Sequence, residues 1–145
     1  MYKHILIPTD GSRLSNSAVL RGIQLARVIQ ARVTVLTVTP TFGGVATDRF
    51  VAAITPDLYW WQRQTEAEWY LAPAAAVARM VGVPCETLHV EHEHPYQAIL
   101  DIASERACDL IVMAPHGRMG AAAAVLGSET NKVLTHSSIS VMVCR

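Results

Sequence analysis

The sequence predicts an α/β fold: an open, mostly parallel sheet of five strands with helices on both faces, in a Rossmann-like arrangement. Two patterns carry this prediction. Short apolar runs alternate with stretches of helical periodicity along the chain. The connections between the apolar runs are too long for hairpins, which favours parallel strands joined by right-handed crossovers. With 145 residues, of which 51% are hydrophobic and 17% charged, the chain suits a single domain over residues 1–145.

The first third of the chain predicts a strand, a helix and a second strand. His4–Asp10 is a compact Ile/Leu run closed by Pro and Asp-Gly, so we expect a buried strand that ends in a turn. Ser12–Gln30 repeats apolar side chains near helical spacing, with Ser12 or Ser15 as the N-cap. The alternating β-branched residues of Arg32–Pro40 predict the second strand.

The middle of the chain predicts a loop and a long helix. Periodicity is lost over Thr41–Thr55, and a helix is expected roughly over Asp57–Val81, where Gly82 and Pro84 end it. We expect most of the aromatic side chains in this helix to pack into the core, with an exposed ligand or partner surface as the alternative. These side chains are Tyr59, Trp60, Trp61, Trp69 and Tyr70. The acidic side chains between them, Glu66 and Glu68, are expected on a solvated face.

The last part of the chain continues the alternation. Cys85–Glu91 predicts a third strand, and Pro95–Ala107 a helix that opens with Pro at its first position. Asp109–Met113 is a continuous apolar run, the kind found in strands buried on both faces of a parallel sheet. Ser128–Ser137 predicts the last helix, and Ile139–Arg145 the last strand.

Charge and composition exclude several classes of partner. Twelve basic and twelve acidic residues cancel, and no Lys/Arg stripe provides the positive surface that nucleic acid requires. No apolar run approaches the roughly 18 residues of a membrane span, and the first residues do not read as a signal peptide. Three cysteines without a CxxC pair indicate reduced thiols. We therefore expect a cytoplasmic protein that binds neither nucleic acid nor membrane.

Three histidines lie close together in the run HVEHEHP. His92 and His94 would share one face of an extended segment, near His89, so a metal site is conceivable. A polar strand end before the next helix explains the run more simply, and we assign no metal ligand.

Two polar turns follow predicted strands: PTDGS after the first and APHGRMG after the fourth. In open α/β sheets a ligand lies outside the carboxyl ends of the strands, at the point where the strand order reverses. If the first and fourth strands are neighbours, both turns face one crevice. This placement predicts a nucleotide site.

The glycine-rich stretch Ala114–Thr130, which follows the fourth predicted strand, is suited to binding an anion. Gly127 and Ser128 lie directly before a predicted helix, whose first N–H groups and dipole favour a phosphate. A glycine there lets the backbone approach a phosphate closely, and the serine hydroxyl adds a donor. The spacing matches neither GxxxxGK[ST] nor GxGxxG, so a second interpretation stays open: these residues only cap the helix.

The charged groups of the two turns suit holding a nucleotide better than cleaving it. Arg118 supplies charge, Asp10 is a candidate to hold Mg²⁺ directly or through water, and His116 is a donor to phosphate. No general base or second carboxylate accompanies them in these turns, and no serine has a visible His/Asp relay. We assign no catalytic residue.

At these residues the chain resembles the universal stress protein family, over essentially its whole length. HILIPTDGS followed by SxxA looks like that family's first strand and turn, and residues 109–145 look like its C-terminal half. The family's ATP-binding pattern is Gly, two residues, Gly, nine residues, then Gly-Ser or Gly-Thr. Gly117, the nine residues that follow it, and Gly127-Ser128 match this pattern. The first glycine position holds Ala114, followed by Pro115, so we expect a weakened or reshaped rather than an abolished site.

The resemblance implies an ATP-type adenine nucleotide, with Mg²⁺ as a candidate companion, bound between the first and fourth strands. The binding residues it implies by position fall into two groups. Those beside the nucleoside are Pro8, Thr9, Asp10, Val38, Met113 and Ala114; those at the phosphates are Gly117, Gly127, Ser128 and the backbone of Glu129. His116 and Arg118, which the chemistry of the turn itself indicates as neighbours of the phosphates, complete the predicted site.

The resemblance also implies a homodimer through the last strand, Ile139 to Cys144, because pairing covers an apolar edge strand. The expected function is nucleotide sensing in a regulatory or protective stress response, with an unidentified protein partner left open. Two alternatives remain: a slow Mg²⁺-dependent ATPase or phosphotransferase that uses Asp10, and a dimeric interaction module that binds no nucleotide.

Overall fold

The sheet has the predicted class. In a computed structural model that describes residues 1–43, 55–118 and 125–145, five parallel strands lie in the order β3-β2-β1-β4-β5. The strands are β1 His4–Pro8, β2 Arg32–Thr39, β3 Cys85–Glu91, β4 Leu110–Met113 and β5 Ser140–Val143. The helices are α1 Arg13–Ile29, α2 Pro56–Met80, α3 Pro95–Glu105 and α4 Ser128–His136. Most of the loop predicted over Thr41–Thr55, residues 44–54, lies outside the described residues.

The strand order reverses beside β1. The chain runs outward from β1 through β2 to β3, then returns to pair β4 with the other edge of β1. β1 and β2 pair in register from His4–Arg32 to Pro8–Leu36, whereas the ladder between β1 and β4 pairs only Ile5 with Leu110 and Leu6 with Ile111. The carboxyl ends of β1 and β4 do not pair with each other, which leaves room for a crevice at the switch point.

Both faces of the sheet are buried, which explains the continuous apolar runs. One set of strand residues, including Ile5, Val35 and Val112, packs against α1 and α2. The other set, including Leu6 and Ile111, packs against α3 and α4. Helices cover both faces, as the sequence predicted, and the structure places two on each.

Helix α1 begins and packs as its sequence predicts. Ser12 is the N-cap, and its Oγ accepts a hydrogen bond from Ser15 N at 3.2 Å. Gly22 faces the sheet, where an added Cβ would collide with the Ile7 side chain. The missing side chain lets this helix lie close against β1.

Helix α2 contradicts the expected packing of its aromatic residues. Tyr59 is buried at 6% exposure, but Trp60, Trp61 and Trp69 are 53%, 60% and 76% exposed. The buried stripe of the helix is instead formed by small residues and one leucine at helical spacing: Ala67, Leu71, Ala74 and Ala78. Alanines let the helix approach its neighbours closely, so the tryptophans lie on the remaining faces. Glu66 was also predicted on a solvated face, and it is instead half-buried among hydrogen-bond donors.

The described ranges hold no helix with both the length and the hydropathy to cross a membrane. All three cysteines are free. Burial raises the pKa of the Cys108 thiol to about 11, which disfavours its thiolate.

Candidate nucleotide-binding site

A crevice of about 380 Å³ opens at the carboxyl ends of β1 and β4. All the binding residues predicted from the sequence line it. They are Pro8, Thr9, Asp10, Val38, Met113, Ala114, His116, Gly117, Arg118, Gly127, Ser128 and Glu129. The strand order thus brings together two turns that are about a hundred residues apart in the chain. The lining is mixed: apolar residues such as Leu36, Val38 and Met113 contribute to it, and so do polar residues and the start of α4.

The carboxylate of Asp10, in the turn after β1, accepts the hydrogen bonds that hold one wall of the crevice together. Its Oδ1 accepts hydrogen bonds from Ser12 N at 3.0 Å and Ser15 Oγ at 2.8 Å. Its Oδ2 accepts from Arg118 N, across the crevice, at 2.8 Å. The carboxylate therefore ties the start of α1 to the turn that follows β4.

These donors keep Asp10 ionised. Partial burial of the carboxylate favours its neutral form and by itself raises the pKa. The hydrogen bonds from Ser12, Arg118 and Ser15 outweigh this effect and hold the pKa of Asp10 below its usual value. A negative charge is thus present in the crevice at neutral pH, with its oxygens already engaged.

Gly117 is required by the close approach of the two turns. A Cβ at this position would collide with the Asp10 carboxylate. A side chain would therefore push the turn after β4 away from β1 and break the hydrogen bond between Arg118 N and Asp10. The glycine predicted to bind phosphate also serves to join the two walls.

The opposite wall is the start of α4. Gly127 is its N-cap, with φ −64° and ψ 159°, a conformation open to any residue, and provides no side-chain cap. Its N–H donates to Pro115 O at 2.7 Å. An added Cβ would lie 3.0 Å from His116 Cβ and 3.1 Å from His116 Cα, so close packing rather than φ favours glycine here. The next N–H groups are in the first turn of α4 and have no intrahelical acceptor.

The match to a family model agrees with this geometry. The model of the universal stress protein family covers residues 1–145. The chain belongs to this family. Universal stress protein MJ0531 of Methanocaldococcus jannaschii is 30% identical over 148 residues, which cover 100% of this chain and 83% of that relative.

Solved structures share the fold of this universal stress protein family member. Hypothetical protein MJ0577 superposes with a TM-score of 0.80 at 26% identity, covering 99% of this chain and 95% of that one. A universal stress protein solved in complex with cAMP superposes with a TM-score of 0.72 at 24% identity, covering 99% and 97%.

The end of β4 accommodates Ala114 and Pro115, which stand at the family's first glycine position. Ala114 is 7% exposed and belongs to the core that the sheet builds with α1 and α2. Its carbonyl accepts a hydrogen bond from Thr130 Oγ1 at 3.0 Å, while the Pro115 carbonyl accepts from Gly127 N. Both carbonyls therefore hold the start of α4 against the end of β4.

Sequence reasoning missed part of the crevice lining. The additional lining residues are Ser15, Leu36, Pro95, Ile99 and Thr130. Leu36 and Ile99 are almost fully buried and have the pattern of ordinary core residues, so no local signal marks them. Ser15 was considered only as a helix cap, although its hydroxyl also donates to Asp10.

Glu129 has a role that the sequence did not indicate. Its Oε2 accepts a hydrogen bond from Tyr96 N at 2.8 Å, in the first turn of α3, and its Oε1 lies 3.4 Å from Lys132 Nζ. The Glu129 side chain, on α4, thereby caps α3. The N-cap residue of α3, His94, makes no side-chain cap hydrogen bond of its own. The backbone N–H of Glu129 stays in the first turn of α4.

The histidine run is divided between two environments. His89 lies between β2 and α2, where its Nε2 is 2.7 Å from Thr39 Oγ1 and its Nδ1 is 2.8 Å from Gln64 Oε1. Burial lowers the pKa of His89, which favours the neutral ring. His92 and His94 lie with ring centroids 6.1 Å apart. In the part of the chain that the structure describes, no group of three or more His, Cys, Asp or Glu side chains is placed to hold a metal ion.

Proposed function

We propose that this chain binds an adenine nucleotide, ATP in the first place, in the crevice between β1 and β4. One observation carries the proposal: the start of α4 at Gly127-Ser128, which has no side-chain cap, lines a crevice that apolar side chains also line. A bare helix N-terminus attracts phosphate, and an apolar slot accepts a base and ribose. A solved protein of the same fold is in complex with cAMP, which is consistent with a nucleotide of this type.

The proposed pose follows the polarity of the walls. The nucleoside lies along Pro8, Thr9 and Val38 on one side and Met113 and Ala114 on the other. Val38 lies near the end of β2, where its backbone groups are the candidates to bind the edge of the adenine base. Backbone groups can select a base in this way without a charged side chain.

The phosphates lie at the glycines. Gly117, Gly127 and Ser128 approach them most closely, the backbone N–H of Glu129 adds a donor, and His116 and Arg118 flank them. The dipole of α4 and the cationic side chain of Arg118 both favour a polyphosphate over a neutral nucleoside.

Mg²⁺ fits this site as a companion of the phosphates. Mg²⁺ in nucleotide sites keeps several waters and takes one or two carboxylates in addition to phosphate oxygens. The Asp10 carboxylate is the candidate to hold it, through water because its oxygens already accept three hydrogen bonds. When bound, Mg²⁺ would neutralise phosphate charge beside Asp10.

We further propose a regulatory role in a cytoplasmic stress response, carried out by a homodimer joined through the last strand. β5 pairs with β4 on one side and forms an edge of the described sheet, with Met142 41% exposed. Edge pairing with a second copy would cover these groups. Sedimentation velocity checks the assembly: a monomer at all micromolar concentrations would argue against it.

The test of nucleotide binding uses protein purified without added nucleotide. The protein is denatured, the supernatant is resolved by ion-pair chromatography, and thermal melts are recorded with ATP, ADP, AMP and GTP. We expect co-purified adenine nucleotide, or a melting temperature that rises with ATP more than with GTP, because a ligand of the native state stabilises it by mass action. No nucleotide and no shift would mean that Gly127 and Ser128 only begin α4 and bind no phosphate.

The same samples separate binding from hydrolysis. Incubation with ATP and Mg²⁺ is expected to release no ADP above a protein-free blank. Release of ADP that Asp10→Ala abolishes would instead identify a slow ATPase.

A further inference from the structure

Arg118 is held by helix α2 as well as by the crevice. Its NH1 lies 3.3 Å from Glu66 Oε1, and its guanidinium carbon lies 4.7 Å from the centre of the Tyr70 ring. Its backbone N–H donates to Asp10. The main chain of Arg118 is thus bound to the crevice wall, while its charged group is paired with a carboxylate on a different element.

Glu66 is the centre of this contact. Its Oε1 also accepts a hydrogen bond from Tyr70 OH at 2.7 Å, and its Oε2 lies 2.8 Å from Arg63 NH1. The Glu66 side chain is 28% exposed, whereas that of Arg118 is 50% exposed. A partly buried carboxylate with three partners is the more firmly held member of the pair, and the exposed arginine is the member free to move.

The turn after β1 keeps this cluster beside the crevice. Gly11, with φ +77°, lies directly under Tyr70, and an added Cβ would overlap the ring. Tyr70 and Glu66 are therefore adjacent to the turn that carries Asp10. Arg118 therefore contacts the α2 carboxylate through its guanidinium and is at the same time a lining residue of the crevice.

We propose that Glu66 is a positioning residue that competes with the ligand for Arg118 and so sets the selectivity of the crevice between phosphate-bearing and phosphate-free ligands. This inference rests on the proposed nucleotide site. While Arg118 is paired with Glu66, its charge is compensated, and an arriving phosphate gains little from it. When a phosphate takes the guanidinium, Arg63 remains beside Glu66, so the exchange leaves no carboxylate unpaired.

The exchange predicts that removing the charge of Glu66 strengthens phosphate binding. An exposed ion pair contributes up to about 1 kcal/mol, so Glu66→Gln is expected to tighten ADP binding by about fivefold. The glutamine amide keeps an acceptor for Tyr70 OH. Adenosine, which has no phosphate to attract Arg118, is expected to bind Glu66→Gln and wild type within about twofold of each other.

Two controls separate the exchange from general electrostatics. Glu68→Gln removes the same charge from the same helix at an exposed position two residues away, and is expected to leave ADP affinity unchanged. In an Arg118→Gln background, Glu66→Gln is expected to give no further gain, because the cation for which Glu66 and the phosphate compete is absent.

Isothermal titration of wild type, the three single variants and the double variant with ADP and with adenosine, at one ionic strength, tests the proposal. A fivefold gain for ADP alone that vanishes without Arg118 supports it. An equal gain for adenosine, an equal gain in Glu68→Gln, a gain that persists without Arg118, or no gain overturns it while nucleotide binding stands. If neither wild type nor any variant binds ADP, the nucleotide site is wrong and this inference falls with it.

Discussion

The starts of α1 and α4 face the same crevice and are built in opposite ways. α1 begins with a serine whose hydroxyl accepts from Ser15 N, and the Asp10 carboxylate accepts from Ser12 N and Ser15 Oγ. α4 begins at Gly127, which has no side chain to accept a hydrogen bond. One helix start is therefore capped by side chains of the protein, and the N-cap of the other provides no side-chain acceptor for the first N–H groups of its helix.

Because of this difference, substitutions at the two helix starts are expected to affect different properties, stability in one case and ligand affinity in the other. Changes at the start of α1 remove acceptors from protein donors and should reduce the free energy of unfolding. Changes at the start of α4 obstruct donors that a phosphate would use and should reduce affinity.

The largest effect is expected for Gly127→Val. The added side chain would press on His116 and cover the first N–H groups of α4. We expect ATP binding to weaken by at least about thirtyfold, equivalent to about 2 kcal/mol, because several hydrogen bonds to a charged group are lost. Isothermal titration measures the affinity, and circular dichroism checks that the helices remain.

Gly127→Ala is the graded control for this prediction. Its single methyl meets His116 at about the limit of real contacts, so its loss of affinity should be smaller than that of valine. Unchanged ATP affinity in both variants would show that phosphates do not lie at the start of α4.

The next largest effect is expected for Asp10→Asn. Asn lacks the charge of the carboxylate and can present a donor to one of the N–H groups that Asp10 accepts, so we expect a loss of about 2 kcal/mol in the free energy of unfolding. Urea denaturation at pH 7 measures this loss. Asp57→Asn, on the exposed first turn of α2, is the matched control and should change stability by less than about 0.5 kcal/mol.

The difference between wild type and Asp10→Asn should depend on pH. The folded pKa of Asp10 is below the ordinary value of 3.8, so its ionised form stabilises the fold fully above that value, and the contribution is lost as pH falls through the folded pKa. Urea midpoints between pH 6 and pH 3 should therefore show a constant gap down to about pH 4 and a narrowing gap below it. A gap that widens with acid would contradict the assignment of a stabilising ionised Asp10.

The smallest effect is expected for Ser12→Ala. Removing the N-cap hydroxyl should reduce the free energy of unfolding by about 1 kcal/mol. ATP affinity should stay within about twofold of wild type, since this helix start has no donors reserved for a ligand. A large loss of affinity with little change in the melting temperature would reverse the assignment of the two walls.

Much of the fold could be predicted because its signals are local. The alternation of apolar runs and helical periodicity predicted β1 to β5 and α1 to α4 to within a few residues of their ends. Ser12 could be identified as a candidate cap from its position before the helix. The fully buried strands could be recognised because both faces of a parallel sheet are covered.

The exposure of Trp61 and Trp69 could not be predicted from periodicity. The spacing of α2 shows which side chains share a face, but a long helix with one aromatic and one alanine-rich face has two ways to pack. The alanines that pack in the core, such as Ala67 and Ala74, permit a closer approach than tryptophans would. Which face of α2 packs into the core depends on the distance between this helix and the neighbouring elements.

By itself the sequence determined the types of the elements, the parallel sheet and the glycine turns, because periodicity, caps and turn residues act over a few residues. Only the tertiary structure decided that Arg118 meets Asp10 across 108 residues of chain and also reaches Glu66. It likewise decided that side chains cap the start of α1, whereas the N-cap of α4 makes no side-chain cap hydrogen bond. Such pairings depend on which strands are neighbours and how closely the helices pack, and neither quantity is encoded in any single segment.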